Sequence, residues 1–122
     1  MKRNIDLIRG LLQVLEDKPD DTVITDFTYK SYSKTEVMYH YLLLYEAGFI
    51  RAECELTKTG RVIRLLPFSL TWDGHEFIEL TRNDTLWKKA KDIAVEQTGT
   101  LSIDLIKSLL RKLMVVSVDL LS

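Results

Sequence analysis

Ser33-Lys34-Thr35-Glu36-Val37-Met38-Tyr39-His40-Tyr41-Leu42-Leu43-Leu44-Tyr45-Glu46-Ala47-Gly48-Phe49-Ile50 is the stretch that decides the fold. Ser33 and Glu36 have the spacing of a capping box: the hydroxyl accepts one orphan N–H of the first helical turn and the carboxylate reaches back. The helix that starts there is expected to run to Ala47. It stops at Gly48, which suits the left-handed position just past a helix end. Val37, His40, Tyr41 and Leu44 share one helical face and are expected to bury. Lys34, Thr35, Met38, Tyr39, Leu42, Tyr45 and Glu46 fall off that face.

Downstream, residues 51–66 read as a hairpin. Ala52, Cys54 and Leu56 alternate with Arg51, Glu53 and Glu55, the two-residue period of a strand. Lys58-Thr59-Gly60 makes the turn, Val62-Ile63-Arg64-Leu65 returns, and Pro67 is expected to end the return strand. Upstream, Ile5, Ile8, Leu11, Leu12 and Leu15 place an amphipathic helix over residues 4–17, stopped by the acidic, proline-containing run 17–21. Val23, Ile24 and Phe27 suggest a short strand. Residues 20–32 show no helical period.

Beyond the hairpin three more helices are expected. Thr71 caps one that buries Phe77 and Leu80, Asp84 caps another that ends at Gly99, and the last spans about residues 101–120. The fold class is therefore mainly α with a small antiparallel β-sheet (α+β). Residues 1–98 form the main domain and residues 99–122 an amphipathic C-terminal helix, in one domain overall.

Composition narrows the function classes. The chain has 122 residues, a hydrophobic fraction of 46% and a formal net charge of −1. That suffices for a core without disulfides and argues against coating nucleic acid through bulk charge. The one cysteine, Cys54, suits a reducing compartment, and a cytoplasmic location is expected. No uncharged apolar run follows the basic residues at the start, and Lys107, Arg111, Lys112 and Asp119 interrupt the longest apolar stretch. Neither a signal peptide nor a membrane span is expected.

The 33–50 stretch resembles the recognition helix of bacterial winged-helix regulators, which often read S-x-x-x-V-x-x-H-L-x-x-L-x-x-x-G-L-I before the wing. Val37, Leu44, Gly48 and Ile50 fit that register. The order helix, strand, helix, hairpin and further helices is also close to a winged helix. The whole chain further resembles a bacterial and phage family known as a domain of unknown function. The carrying residues are Met1-Lys2-Arg3 with Asp6-Leu7-Ile8-Arg9, Tyr39-His40 with Glu46-Ala47-Gly48, Ser69-Leu70-Thr71-Trp72-Asp73-Gly74-His75-Glu76-Phe77, and Asn83-Asp84-Thr85 before Trp87. The winged-helix resemblance implies a DNA-binding transcriptional regulator. A standard helix-turn-helix has a helix directly before the recognition helix, and here that element is expected to be missing or very short.

The residues themselves leave two readings open. For double-stranded DNA the candidates are Lys34, Thr35 and Tyr39 on the helix and Lys58, Arg61 and Arg64 on the wing, where they would touch phosphates. The helix offers few of the Arg, Lys, Asn or Gln side chains that read base edges. Met38, Leu42 and Tyr45 look instead like a surface to be covered by protein. In the last helix Ile106, Leu109, Leu110 and Leu113 form an apolar stripe, widened by Leu101, Leu105, Val116, Leu120 and Leu121. A homodimer through this helix is expected, the competing account being that it folds back over Met38, Leu42 and Tyr45.

No enzyme, metal or cofactor is expected. His75-Glu76 begins like H-E-x-x-H but lacks the second histidine, and His75 reads as packed or hydrogen-bonded. Cys54 reads as a small buried strand residue without an activating partner. The glycines form no phosphate-binding loop. Trp72 and Trp87 read as core or interface anchors.

Overall fold

A computed structural model describes residues 1–121, with side chains through Ser117. Among the described residues there are five helices and one two-stranded antiparallel sheet. The order is α1 (Ile5–Glu16), α2 (Lys34–Glu46), β1 (Ile50–Leu56), β2 (Val62–Leu70), α3 (Trp72–Leu80), α4 (Asp84–Thr98) and α5 (Ile103–Leu121). The fold is mixed α+β and mainly helical. It comprises two compact units, Met1–His75 and Glu76–Ser122.

In the first unit α1 packs on α2 and β2. Asn4 caps it, its side-chain oxygen accepting from the backbone N–H groups of Asp6 and Leu7 at 3.0 and 3.1 Å. Leu7, Leu11 and Leu12 are fully buried, and Ile5, Ile8 and Leu15 nearly so. They meet a core that includes Val37, Tyr41, Leu44, Phe49, Ile50, Leu65 and Leu70. Each such aliphatic side chain contributes about 1.5–3 kcal/mol when removed from water. The buried residues of α2 are Val37, His40, Tyr41 and Leu44, as its periodicity predicts. Ser33 Oγ accepts from the Glu36 N–H at 3.1 Å, and Gly48 takes φ +79° past the helix end.

His40 ties α2 to α1. Its ring is completely buried. Nε2 accepts the backbone N–H of Asn4 at 2.8 Å, and Nδ1 lies 2.7 Å from the Glu36 carbonyl oxygen. An amide N–H can only donate and a carbonyl can only accept, so the proton sits on Nδ1. The start of α1 is thereby fixed to the second turn of α2.

Several local expectations change. Val23, Ile24 and Phe27 form no strand. Asp20 accepts from the Thr22 hydroxyl and N–H, and Asp26 accepts from the Thr28 N–H. These side-chain turns compete with strand pairing, and hydrogen bonds from Thr22 and Thr28 hold the two carboxyls below the ordinary aspartate range. One ladder-like bond remains, Ile24 N–H to the Pro67 carbonyl at 2.7 Å. Pro67 does not end β2, which runs on to Leu70. The register jumps from Ala52↔Pro67 to Arg51↔Ser69, so the proline sits at a bulge, where a strand tolerates one. Cys54 is exposed rather than buried, and Leu56 is exposed as well. The helices cover only the base of the hairpin, and β1 beyond Ala52 is open on both faces.

In the second unit α4 and α5 pack together. Asn83, not Asp84, is the N-cap of α4: its extended backbone lets the side chain accept the Leu86 N–H at 3.0 Å. Asp84 is the first helical residue instead, where its charge favours the helix dipole. Trp87, Ala90 and Ala94 of α4 and Ile106 and Leu110 of α5 are buried, and the Phe77 and Trp87 rings lie 6.4 Å apart. Trp87 is a core anchor, but Trp72 is 75% exposed. His75 is exposed too, because it starts a turn whose inward positions go to Gly74, Phe77 and Ile78. The expected contributions of Leu120 and Leu121 to the α5 stripe lie outside the described side chains.

Two outcomes follow from the first unit. His40→Ala should lower stability by about 2–3 kcal/mol in urea unfolding, since the part-buried Asn4 N–H loses its acceptor and the core loses a completely buried ring. Long-range ¹H–¹⁵N spectra should show Nδ1 protonated and Nε2 bare; the reverse tautomer would contradict the clamp. Gly10 lies under Tyr29, whose phenol a Cβ at that position would overlap. Gly10→Ala should therefore destabilise the wild type yet stabilise a Tyr29→Ala background by up to about 1 kcal/mol, the helix-propensity gain.

Candidate interaction groove

α2 turns its outer face toward the hairpin, and between them lies an open groove of about 360 Å³. Thr35, Met38, Tyr39 and Leu42 form one wall, Arg61, Val62, Ile63, Arg64 and Leu65 the other, and Met1 contributes from the chain start. Helix geometry dictates the first wall: with His40, Tyr41 and Leu44 turned inward, positions 35, 38, 39 and 42 point outward. The second wall depends on a bulge. Glu55 pairs with Arg64 and Leu56 with Val62, so Ile63 has no partner of its own and stands 56% exposed.

The clamp shapes this groove as well as the core. The Tyr39 ring stands edge-on to the His40 imidazole, centroids 5.8 Å apart. The Asn4 backbone that His40 holds lies three residues from Met1. Burial raises the Tyr41 phenol well above its ordinary range, consistent with its place in the core beneath, where Phe27 packs edge-on at 6.0 Å.

The sequence-derived candidates sort clearly. Thr35, Tyr39, Arg61 and Arg64 from the DNA set and Met38 and Leu42 from the protein-contact set line one groove. Lys34, Lys58 and Tyr45 are exposed but outside its lining. In α5, Ile106 and Leu110 are fully buried, while Leu109 and Leu113 are half-buried. Sequence reading missed Met1, Val62, Ile63 and Leu65. The sequence pattern predicts a plain return strand over Val62-Ile63-Arg64-Leu65, and a bulge that turns Ile63 outward leaves no periodic signal.

Chemically the groove is an apolar floor with two guanidinium groups on its rim. Among the described residues no group of three His, Cys, Asp or Glu side chains could hold a metal, and no helix is long and apolar enough to cross a membrane.

Residues 2–101 match a family model described as "Hypothetical protein (DUF2513)". A Haemophilus influenzae (strain ATCC 51907 / DSM 11121 / KW20 / Rd) protein described as "Uncharacterized protein" is 37% identical over 111 residues, covering 88% of this chain and 90% of its own length. No solved structure matches. The matched span takes in every groove residue except Met1 and ends before α5 begins. With nearly the whole first unit and α4 inside that match, the chain belongs to the DUF2513 family.

Proposed function

We propose that the protein is a non-enzymatic interaction module on a winged-helix-like scaffold, and that the α2–β2 groove receives an apolar segment of a partner protein. The observation that carries this reading is the groove's lining: Met1, Met38, Leu42, Val62, Ile63 and Leu65 supply most of its wall. Exposed apolar concavities of this kind favour protein contact over nucleic acid. Arg61 and Arg64 add a preference for a segment that carries Asp or Glu beside its apolar residues. The scaffold reading rests on α2 leading through Gly48 into a hairpin, and on the Ile24–Pro67 hydrogen bond. That bond sets residue 24 beside β2, where a winged helix has its first strand. It is an analogy of fold and carries no function by itself.

Catalysis has little to build on. Both ring nitrogens of His40 are engaged by backbone groups, and Cys54 lies exposed on the hairpin without a neighbouring histidine in its groove. A cytoplasmic location fits the lone thiol.

DNA binding is the second reading. It is favoured by Thr35 and Tyr39 of α2 lying across one groove from Arg61 and Arg64, with Lys34 and Lys58 exposed nearby. Against it, residues 17–33 contain no helix to set α2 against a duplex.

The two readings separate experimentally. Selection from a displayed random-peptide library should enrich apolar segments flanked by Asp or Glu, and Met38→Asp should weaken their binding by at least about tenfold. Fluorescence anisotropy against mixed-sequence duplex DNA should show no tight, steeply salt-dependent binding. If instead the duplex binds tightly at low salt and Lys58→Ala with Arg61→Ala abolishes it, the DNA reading holds and the protein-groove reading fails.

A further inference from the structure

The groove is one uncovered apolar surface among the described residues. Another is the end of α5. Among the described side chains of α5 the last buried one is Leu110, yet the helix continues to Leu121. Past Leu110, Met114, Val115 and Val116 are 39%, 60% and 56% exposed. The groove residue Met38 is 45% exposed. Each surface thus carries water-exposed apolar side chains.

From this pairing we infer that the groove's occupant is the end of α5 from a second copy of the same chain. The inference rests on the groove reading above and names its partner. Three features point to a second copy. The α5 end has the form such a groove takes, an amphipathic helix that presents neighbouring apolar side chains. In composition its sequence, Met114-Val115-Val116-Ser117-Val118-Asp119-Leu120-Leu121, is mostly apolar with one acidic residue and no basic one, the composition that suits an apolar groove lined by Arg61 and Arg64. Reciprocity completes the case. Each copy carries one groove and one helix end, so a two-fold exchange of helix ends can satisfy both copies at once and close the assembly at a dimer. The surface that serves the dimer is then unavailable to another protein until the dimer opens, and self-association competes with any other partner for the groove.

The test uses full-length chains with substitutions only at exposed positions, so that folding is retained and can be checked by circular dichroism. The wild type should sediment as a dimer at micromolar concentration. Met38→Asp, which spoils the groove, and Val115→Asp with Val116→Asp, which spoils the helix end, should each be monomeric alone. Mixed together, the two variants should recover a heterodimer, because one intact groove meets one intact helix end. That heterodimer should be weaker than the wild type, since only one of two contacts survives. A monomeric wild type overturns the inference. So does a dimer broken by the α5 substitutions but untouched by Met38→Asp, which would place α5 against α5. In both of those outcomes the groove reading stands or falls separately, on whether library-selected peptides still bind the wild type and lose affinity with Met38→Asp.

Discussion

The hydrogen bond between the Asn4 backbone N–H and the buried His40 ring is the constraint on which the first unit turns. It joins residues 36 positions apart, and it does so where α1 begins, so the cap of one helix and the second turn of another are set by a single side chain. A hydroxyl or amide in place of the imidazole would need a different reach to satisfy both the Asn4 N–H and the Glu36 carbonyl. The ring spans them because its two nitrogens face opposite ways. With that contact made, the inward face of α2 is fixed and the outward face follows from helix geometry. Tyr39 stands against the same imidazole and forms part of the groove wall. Met1, three residues from the clamped Asn4, forms another part. Core and candidate groove are thus two sides of one interaction.

The hairpin contributes to the groove because it is poorly covered. A two-stranded sheet is marginal alone, and here α1 and α2 support only its base. Toward the tip Leu56 and Ile63 remain exposed, which a merely structural hairpin would avoid by carrying polar residues there. Exposed apolar faces are a common mark of interaction sites in general. Arg61 and Arg64 line the same groove, and on the proposed reading they would favour a partner that carries carboxylates.

How much of this was legible in the sequence depends on the range of the interaction. α2 could be read almost completely, because its cap, its inward face and its glycine stop are all local signals within sixteen residues. The helices of the second unit were legible for the same reason, down to Gly99 in its left-handed conformation at +73°. The cap of α4 was misplaced by one residue, since Asn83 and Asp84 are both good caps and only the backbone angles decide. The hairpin's existence was legible but its burial was not: strict alternation at Ala52, Cys54 and Leu56 signals a covered face, and whether anything covers it is a tertiary fact. Two bulges, at Pro67 and Ile63, changed which side chains face α2. The candidates Thr35, Met38, Tyr39, Leu42, Arg61 and Arg64 were all picked from sequence, but as two rival sets. That both sets line one groove could be seen only in three dimensions.

The chain's three methionines (Met1, Met38 and Met114) offer the most direct test of the claim that this groove is a protein-binding surface. Met1 and Met38 line it, and Met114 lies on α5. Methyl-labelled methionine spectra of the full chain can be followed during addition of an apolar, acid-flanked helical peptide and, separately, of mixed-sequence duplex DNA. The account predicts that the peptide shifts the Met38 and Met1 methyl resonances saturably, whereas duplex DNA at moderate salt leaves them in place. Saturable shifts of Met38 with the duplex and none with the peptide would contradict it.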